Sequence, residues 1–152
     1  MPDLVTHTTA AWACGRAFLP RPTLLLVLLG AQLPDLATRV PMLVLDRAEA
    51  RWLLPLHTPV GLLLLSLLIA QLFTRSSRRV AFAALVGGGV THLLLDAMQW
   101  NLRGSYHWLF PFSLWNGQLG WFSIEAAVPT VPLQLAGLVG VEFMLRRRRR
   151  PA

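Results

Sequence analysis

The chain alternates long apolar runs with short breaks rich in arginine or proline. Apolar residues dominate five stretches, at about 4–19, 23–36, 51–73, 80–100 and 126–145. Two prolines one residue apart end the first stretch, because proline removes a backbone donor and interrupts a helix. At roughly 1.5 Å per residue, the longest stretches can cross a hydrocarbon core of about 30 Å. The pattern therefore predicts an all-α fold, a polytopic membrane bundle of about five apolar helices.

Residues 104–124 break this pattern. They hold half of the aromatic residues of the chain and are interrupted by Pro111 and Gly117. Aromatic side chains concentrated in this way are typical of the membrane–water interface. We expect an aromatic interfacial segment that acts either as a lid or lipid-facing approach to a site, or as a belt that only anchors the bundle.

Composition agrees with a membrane protein. Of the 152 residues, 55% are hydrophobic and only 14% are charged, whereas about a quarter of a soluble protein is charged. This length suits one domain. We expect residues 1–145 to form a single membrane-embedded helical domain, followed by a basic tail at 146–152.

The positive charge is placed at the breaks. All 14 basic residues are arginines, the net charge is +7, and five arginines form the run 146–150 directly after an apolar stretch. Such a run is typical of a cytoplasmic membrane anchor, so we expect no nucleic-acid partner. Ten arginines fall at the first break, the 75–79 break and the tail, and four on the opposite side. The positive-inside rule then predicts an inner-membrane protein with a cytoplasmic carboxyl terminus and an external amino terminus.

One apolar run carries an unexpected polar pair, in THLLLDAMQW at residues 91–100. His92 and Asp96 are four residues apart, so on a helix both side chains lie on one face. Ionisable groups inside a membrane are costly and point to a functional site when they are paired or bound to a metal.

Two further histidines and one further aspartate fall at comparable positions on the other runs. His7 and Asp35 lie fourteen residues before and after Arg21, which places them at similar depth on antiparallel helices. His57 precedes the second arginine-rich break, and His92 and Asp96 follow it, so these three side chains also share one end of an antiparallel helix pair. We expect all five side chains to converge at the non-cytoplasmic end of the bundle.

Histidine nitrogens and carboxylate oxygens together favour a divalent metal, zinc first and manganese second. We expect the metal to be held by His7, Asp35, His57, His92 and Asp96. Two alternatives stay open for the same residues. They could relay protons or ions in a transporter, or they could hold the helices of a scaffold together through hydrogen bonds.

Several motifs also resemble a known family: LVTH near the amino terminus, LGAQLPDLA, LHTPVG, THLLLDAMQWN and WLFPFS. Together they are similar to a bacterial inner-membrane family described as membrane-bound metal-dependent hydrolases. The ligand order is similar to that of the zinc-dependent phospholipase C and single-strand nuclease superfamily. That resemblance implies that His57, His92 and Asp96 hold one zinc, while Asp35 bridges to a second metal bound by His7. The chain departs from that superfamily where Trp121, not histidine, precedes Glu125. The resemblance therefore implies one or two metal ions here and not the three of that superfamily.

The function expected from these observations is hydrolysis of a phosphoester of a lipid or lipid-linked substrate at the outer face of the inner membrane. Metal ions activate water for such reactions, and we expect Asp35 to be catalytic. Three residues are candidates for binding the substrate phosphate: Arg39, Arg103 and His107. The alternative is a non-enzymatic membrane protein, either a transporter coupled to ions or protons, or a scaffold.

Overall fold

A computed structural model describes residues 4–46, 51–100 and 107–148, and every structural statement below concerns these residues. Six α-helices are present: α1 (Leu4–Arg16), α2 (Arg21–Arg39), α3 (Pro59–Ala70), α4 (Arg78–Met98), α5 (Ile124–Ala127) and α6 (Val131–Arg148). Three short 3₁₀ helices cover Pro41–Leu43, Arg51–His57 and Val128–Thr130. Two strands, β1 (Gln99–Trp100) and β2 (Phe122–Ser123), pair in parallel.

The predicted all-α membrane fold is confirmed. Three segments are long and apolar enough to cross a membrane, namely Arg21–Leu43, Arg78–Met98 and Val128–Arg147. The other two apolar helices, α1 with 13 residues and α3 with 12 residues, are shorter than the roughly 20 residues that a crossing usually takes. Each of the five predicted helices thus has a counterpart, and three of them reach spanning length.

The third predicted helix is interrupted where the sequence analysis expected a continuous run from 51 to 73. A 3₁₀ helix ends at His57, and α3 begins after Thr58, whose hydroxyl accepts a hydrogen bond from the Gly61 N–H at 3.2 Å. Pro59 occupies the first turn of α3, where its missing N–H costs nothing. The Thr58–Pro59 pair is therefore a helix start, and it fixes His57 at a junction between two helices.

Helices α2 and α4 form the centre of the fold and pack closely through glycine. A Cβ atom at Gly88 of α4 would overlap the carbonyl oxygen of Val27, and one at Gly30 of α2 would overlap the carbonyl oxygen of Leu85. Small residues allow membrane helices to approach until their backbones touch. The apolar core beside this contact includes Ala11, Ala31 and Ala84, which are all buried.

Helices α1 and α6 lie on the outside of this pair. Gln32 of α2 donates to the hydroxyl of Thr8 in α1 at 2.7 Å. Arg16 of α1 forms an ion pair of 2.7 Å with Glu142 of α6, the acid that interrupts the last apolar run. Helix α6 continues to Arg148, three residues beyond its expected end, and none of its spanning window is buried.

The described part of the aromatic segment is not helical and folds back onto the end of α4. The N–H of Leu119 donates to the carbonyl of Ala97 at 2.7 Å, and that of Trp121 donates to the carbonyl of Met98 at 2.8 Å. The indole N–H of Trp108 donates to the carbonyl of Gly117 at 2.6 Å. These contacts bring the aromatic segment beside the carboxyl-terminal end of α4, which also carries His92 and Asp96.

The close packing of α2 on α4 can be tested with two neighbouring glycines. We expect Gly88→Ala to lower the melting temperature, because overpacking costs about 1–3 kcal/mol. Gly87→Ala is the matched control, since a Cβ atom added at Gly87 would meet no neighbouring atom within 4 Å and both variants gain the same helix propensity, about 1 kcal/mol. Thermal unfolding in detergent, followed by circular dichroism, measures the difference. Equal melting temperatures would show that the two helix backbones do not touch at Gly88.

Candidate metal centre

The polar pair on α4 faces α2. Gly88, His92 and Asp96 follow one another at intervals of four residues, so they form one stripe along the helix. All three are buried. The glycine allows the two backbones to touch, and the histidine one turn later is therefore pressed against the backbone of α2.

A backbone hydrogen bond orients His92. Its Nδ1 lies 2.7 Å from the carbonyl oxygen of Ala31 in α2. A carbonyl only accepts, so Nδ1 carries the proton and, in the neutral ring, Nε2 keeps its lone pair. Histidines that bind metals are usually held in this way, with one ring nitrogen donating to a carbonyl and the other facing the ion.

Three ligand atoms from two parts of the chain lie close together. The Nε2 atoms of His57 and His92 are 3.3 Å apart, and Asp96 Oδ2 lies 2.7 Å from the first and 3.4 Å from the second. Ligands placed about 2.0 Å from a tetrahedral zinc are about 3.3 Å from one another. The two longer separations match that value, and the shorter one is a hydrogen bond between His57 and Asp96.

His7 joins this group from α1. Its ring is stacked on that of His92, with ring centroids 3.8 Å apart and an interplanar angle of 18°. Its Nε2 lies 3.6 Å from Asp96 Oδ1. Both ring nitrogens of His7 are buried and make no hydrogen bond to any other described residue, which leaves an imidazole free to act as a ligand.

Asp35 closes the cluster from α2. Its Oδ1 lies 3.9 Å from His57 Nδ1, 4.0 Å from His92 Nε2 and 2.9 Å from the Nε of Arg39. The contact with Arg39 is an ion pair without the alignment of a hydrogen bond, and neither carboxylate oxygen has a hydrogen-bond partner within the described chain. A buried carboxylate with unused lone pairs is a further candidate ligand.

Burial makes the charge of this cluster important. The five side chains have exposed fractions of only 0–5%: His7, Asp35, His57, His92 and Asp96. With neutral histidines, the two ionised carboxylates carry two negative charges. Among the described residues Arg39 is the cation that pairs with one of them, which leaves one negative charge uncompensated within this part of the chain. Such a charge costs several kcal/mol in an apolar interior. A divalent cation would more than offset this charge and leave a net positive charge that attracts an anion.

The residues fit a divalent metal in number, donor type and spacing. Two overlapping groups have ligand atoms within 4.8 Å of one another, His7 with His92 and Asp96, and Asp35 with His57 and His92. Imidazole and carboxylate donors together suit zinc and also manganese. The resemblance placed His7 and Asp35 together at a second metal, whereas the structure groups each of them with His92.

The structure brings together all five predicted ligand residues and, of the two predicted phosphate-binding residues that it describes, one. Arg39 lies beside Asp35. His107 is exposed, and its Nδ1 lies 2.9 Å from the carbonyl oxygen of Leu114, so no contact places it at the centre. Arg103 lies outside the described residues.

One element of the centre, the Ala31 carbonyl that holds His92, was missed by the sequence analysis. Every residue has a backbone carbonyl, so the residue type does not indicate which carbonyl a histidine will meet. The glycine run at 87–89 is the closest indication in the sequence, since small residues allow close helix approach, but it does not indicate which helix packs there.

These features define a class: a helical membrane protein with a buried histidine–aspartate centre. A profile of the YdjM inner membrane protein family matches residues 1–152, the entire chain. The chain belongs to this family, whose description names the inner membrane and no chemical activity. Among curated proteins and solved structures, none is similar enough to match.

Metal binding at this centre can be measured directly. We expect the protein, purified in detergent and resupplied with zinc, to retain it in a stoichiometric amount by elemental analysis. His92→Ala and Asp96→Asn should each weaken zinc binding by at least about tenfold, because even residues that only support a ligand contribute 10–100-fold. Asp96→Asn keeps the size of the side chain, removes its charge and replaces one acceptor oxygen by an NH₂ donor.

His107→Ala is the matched control, since this histidine is exposed and bonds to a neighbouring loop carbonyl. It should leave the zinc content unchanged. Circular dichroism establishes that each variant is folded. A wild-type protein that stays free of zinc and manganese after resupply would exclude the metal centre.

Proposed function

We propose that this protein is a membrane-embedded, metal-dependent hydrolase that cleaves a phosphoester of a lipid or lipid-linked substrate. The observation that carries the proposal is the convergence of three imidazoles and two carboxylates in one buried cluster. This set exceeds the hydrogen-bonding needs of the helices, because His7 and Asp35 have ligand atoms without hydrogen-bond partners in the described chain. A zinc or manganese ion held there would lower the pKa of a bound water and stabilise charge on phosphoryl oxygens.

Asp35 is the residue we assign to the proton transfer. Both of its carboxylate oxygens are available to accept a proton or to orient water. In the reaction the water oxygen bonds to phosphorus, the ester P–O bond breaks, and the water proton passes by way of Asp35 to the leaving alcohol. A carboxylate in this role typically contributes 10²–10⁴-fold to the rate, as an order of magnitude.

Arg39 is the residue we assign to the substrate phosphate. Its side chain is 34% exposed, whereas Asp35 beside it is 1% exposed, so Arg39 connects the buried cluster with the outside. Its Nη2 is buried and donates to no acceptor among the described residues. Guanidinium groups bind phosphate oxygens through paired hydrogen bonds, and this donor is free to make one.

The position of the cluster supports an outward-facing site. His92 lies fourteen residues along α4 from Arg78, or about 21 Å from the arginine-rich end of the helix. We infer that this end is cytoplasmic, as is the carboxyl terminus, and that the centre faces the opposite leaflet. Transport sites usually lie near the middle of the membrane, which favours an enzyme over a transporter.

One observation favours the alternative of a relay or scaffold. His92, His57 and Asp96 form a continuous chain of contacts between 2.7 and 3.4 Å, and such a chain could conduct protons or hold helices together without a metal. A relay should drive ion-dependent uptake into liposomes. A scaffold should show neither uptake nor metal.

The hydrolase proposal is tested with bis(p-nitrophenyl) phosphate and with phosphatidylglycerol vesicles as probes, on the zinc-loaded protein. We expect Asp35→Asn to reduce kcat by on the order of 10²-fold or more, since it removes the proton acceptor. We expect Arg39→Gln to raise KM, because it removes the phosphate donor. Its zinc content is measured in parallel, since the same substitution removes the cation that pairs with Asp35.

Arg75→Gln is the control, because Arg75 is an exposed arginine in the turn at the other end of α4. It should match the wild type in kcat and KM. An Arg39→Gln variant with unaltered KM would refute the phosphate role of Arg39. A zinc-loaded wild type that cleaves neither probe would count against hydrolysis and in favour of the relay or scaffold.

A further inference from the structure

A groove of about 330 Å³ runs along the outer side of α4, between α4 and α3. Its walls include Leu62 and Leu63 of α3, Val86 and Val90 of α4, and Trp108 of the aromatic segment. Every described residue that lines it is apolar. Water finds no hydrogen-bond partner in such a space, so the groove favours an apolar occupant over water.

The groove opens towards the surroundings of the bundle. Leu63, Val90 and Leu94 line it and are 46%, 44% and 58% exposed. Helix α4 has the length and hydropathy of a membrane span, so these exposed side chains face hydrocarbon in the membrane. The molecules that surround them there are lipid acyl chains.

The length of the groove matches one leaflet. From Val86 to Ala97 it follows eleven residues of α4, which is about 16 Å of helix. Half of a hydrocarbon core of about 30 Å is roughly the same distance. A single acyl chain lying along α4 would therefore fill the groove from end to end.

One end of the groove lies beside the histidine–aspartate centre. Pro59 lines the groove two residues after His57, and Ala97 lines it directly after Asp96. Val86, at the other end, lies ten residues before Asp96 towards the arginine-rich end of α4. A lipid in the groove would thus have its polar end at the level of the centre and its tail in the membrane.

We propose that this groove is an acyl-chain subsite, and that it holds one chain of a phospholipid whose phosphate is presented to the histidine–aspartate centre. The inference rests on the proposed function, because it names the substrate class of that centre. Trp108 forms the interfacial end of the subsite. Its ring packs against the buried cluster of Leu33, Leu62 and Leu93, and its N–H is fixed by Gly117.

The test measures lipid retention without activity or metal. The protein is delipidated in detergent, treated with a chelator and titrated with dioleoyl phosphatidylglycerol, and bound lipid is counted by native mass spectrometry. We expect one lipid per chain to be retained more tightly than the rest. Val90→Trp, from one wall, and Leu63→Trp, from the other, should each weaken that retention on the order of tenfold, because the indole occupies the space of several buried methylenes.

Leu133→Trp is the matched control, since Leu133 is a 76% exposed leucine on α6, away from the groove. It should retain the lipid like the wild type. Val86→Phe shortens the groove at its far end and should shift retention towards phosphatidylglycerol with shorter chains. Unchanged retention and chain-length preference in all three groove variants would overturn the subsite.

The outcomes separate this inference from the proposed function. Loss of lipid in Val90→Trp with a zinc-free wild type would leave the subsite standing and remove the hydrolase. If Val90→Trp keeps both its lipid retention and its zinc-dependent hydrolysis, the hydrolase stands and the subsite is removed. The wild type could instead show the mass of two chains and no specifically bound lipid. If Val90→Trp loses that mass, a second copy of the chain covers the groove and the acyl-chain assignment is overturned.

Discussion

The contact between the backbones of α2 and α4 is the constraint on which the rest of the structure depends. Gly88 lets α4 approach until its backbone meets the carbonyl of Val27, and one turn later His92 reaches the carbonyl of Ala31. That hydrogen bond sets the tautomer of His92 and directs Nε2 towards His57 and Asp96. A wider helix separation would remove the bond and leave the ring free to rotate, so close packing and site geometry have a common cause.

Burial makes the ionised side chains of the cluster costly, and this cost indicates what the cluster binds. Two carboxylates and three imidazoles lie in a fold whose surroundings are largely hydrocarbon, and each ionised group there loses favourable hydration. Arg39 compensates one carboxylate only in part, because its contact with Asp35 lacks hydrogen-bond alignment. Membership of the YdjM inner membrane protein family fits this location. Within the described chain, the unpaired donor atoms and the excess negative charge favour a metal centre over a set of hydrogen bonds between helices.

The proposed centre and the proposed acyl-chain subsite occupy adjacent sides of one helix. On α4 the stripe of Gly88, His92 and Asp96 faces α2, while Val86, Val90 and Leu93 face α3 and the groove. A helix repeats every 3.6 residues, so a single span can present polar ligands on one side and an apolar wall on the other. This arrangement suits a substrate with a phosphate and a hydrocarbon tail, and it accounts for the aromatic segment packed at the same end of α4.

From the sequence alone, hydropathy and i, i+4 spacing predicted the membrane class, the approximate helices and the five residues of the buried histidine–aspartate cluster, because these are local properties that need no tertiary contact. The sequence also contains the helix start at Thr58 and Pro59, but the apolar residues around it favoured one continuous helix. The packing of the helices placed His7 on His92 and brought the Ala31 carbonyl to His92, and the fold of the aromatic segment left His107 exposed and bonded to the Leu114 carbonyl. These outcomes depend on the crossing of helices far apart in sequence, and residue type does not encode which backbone carbonyl a side chain will meet.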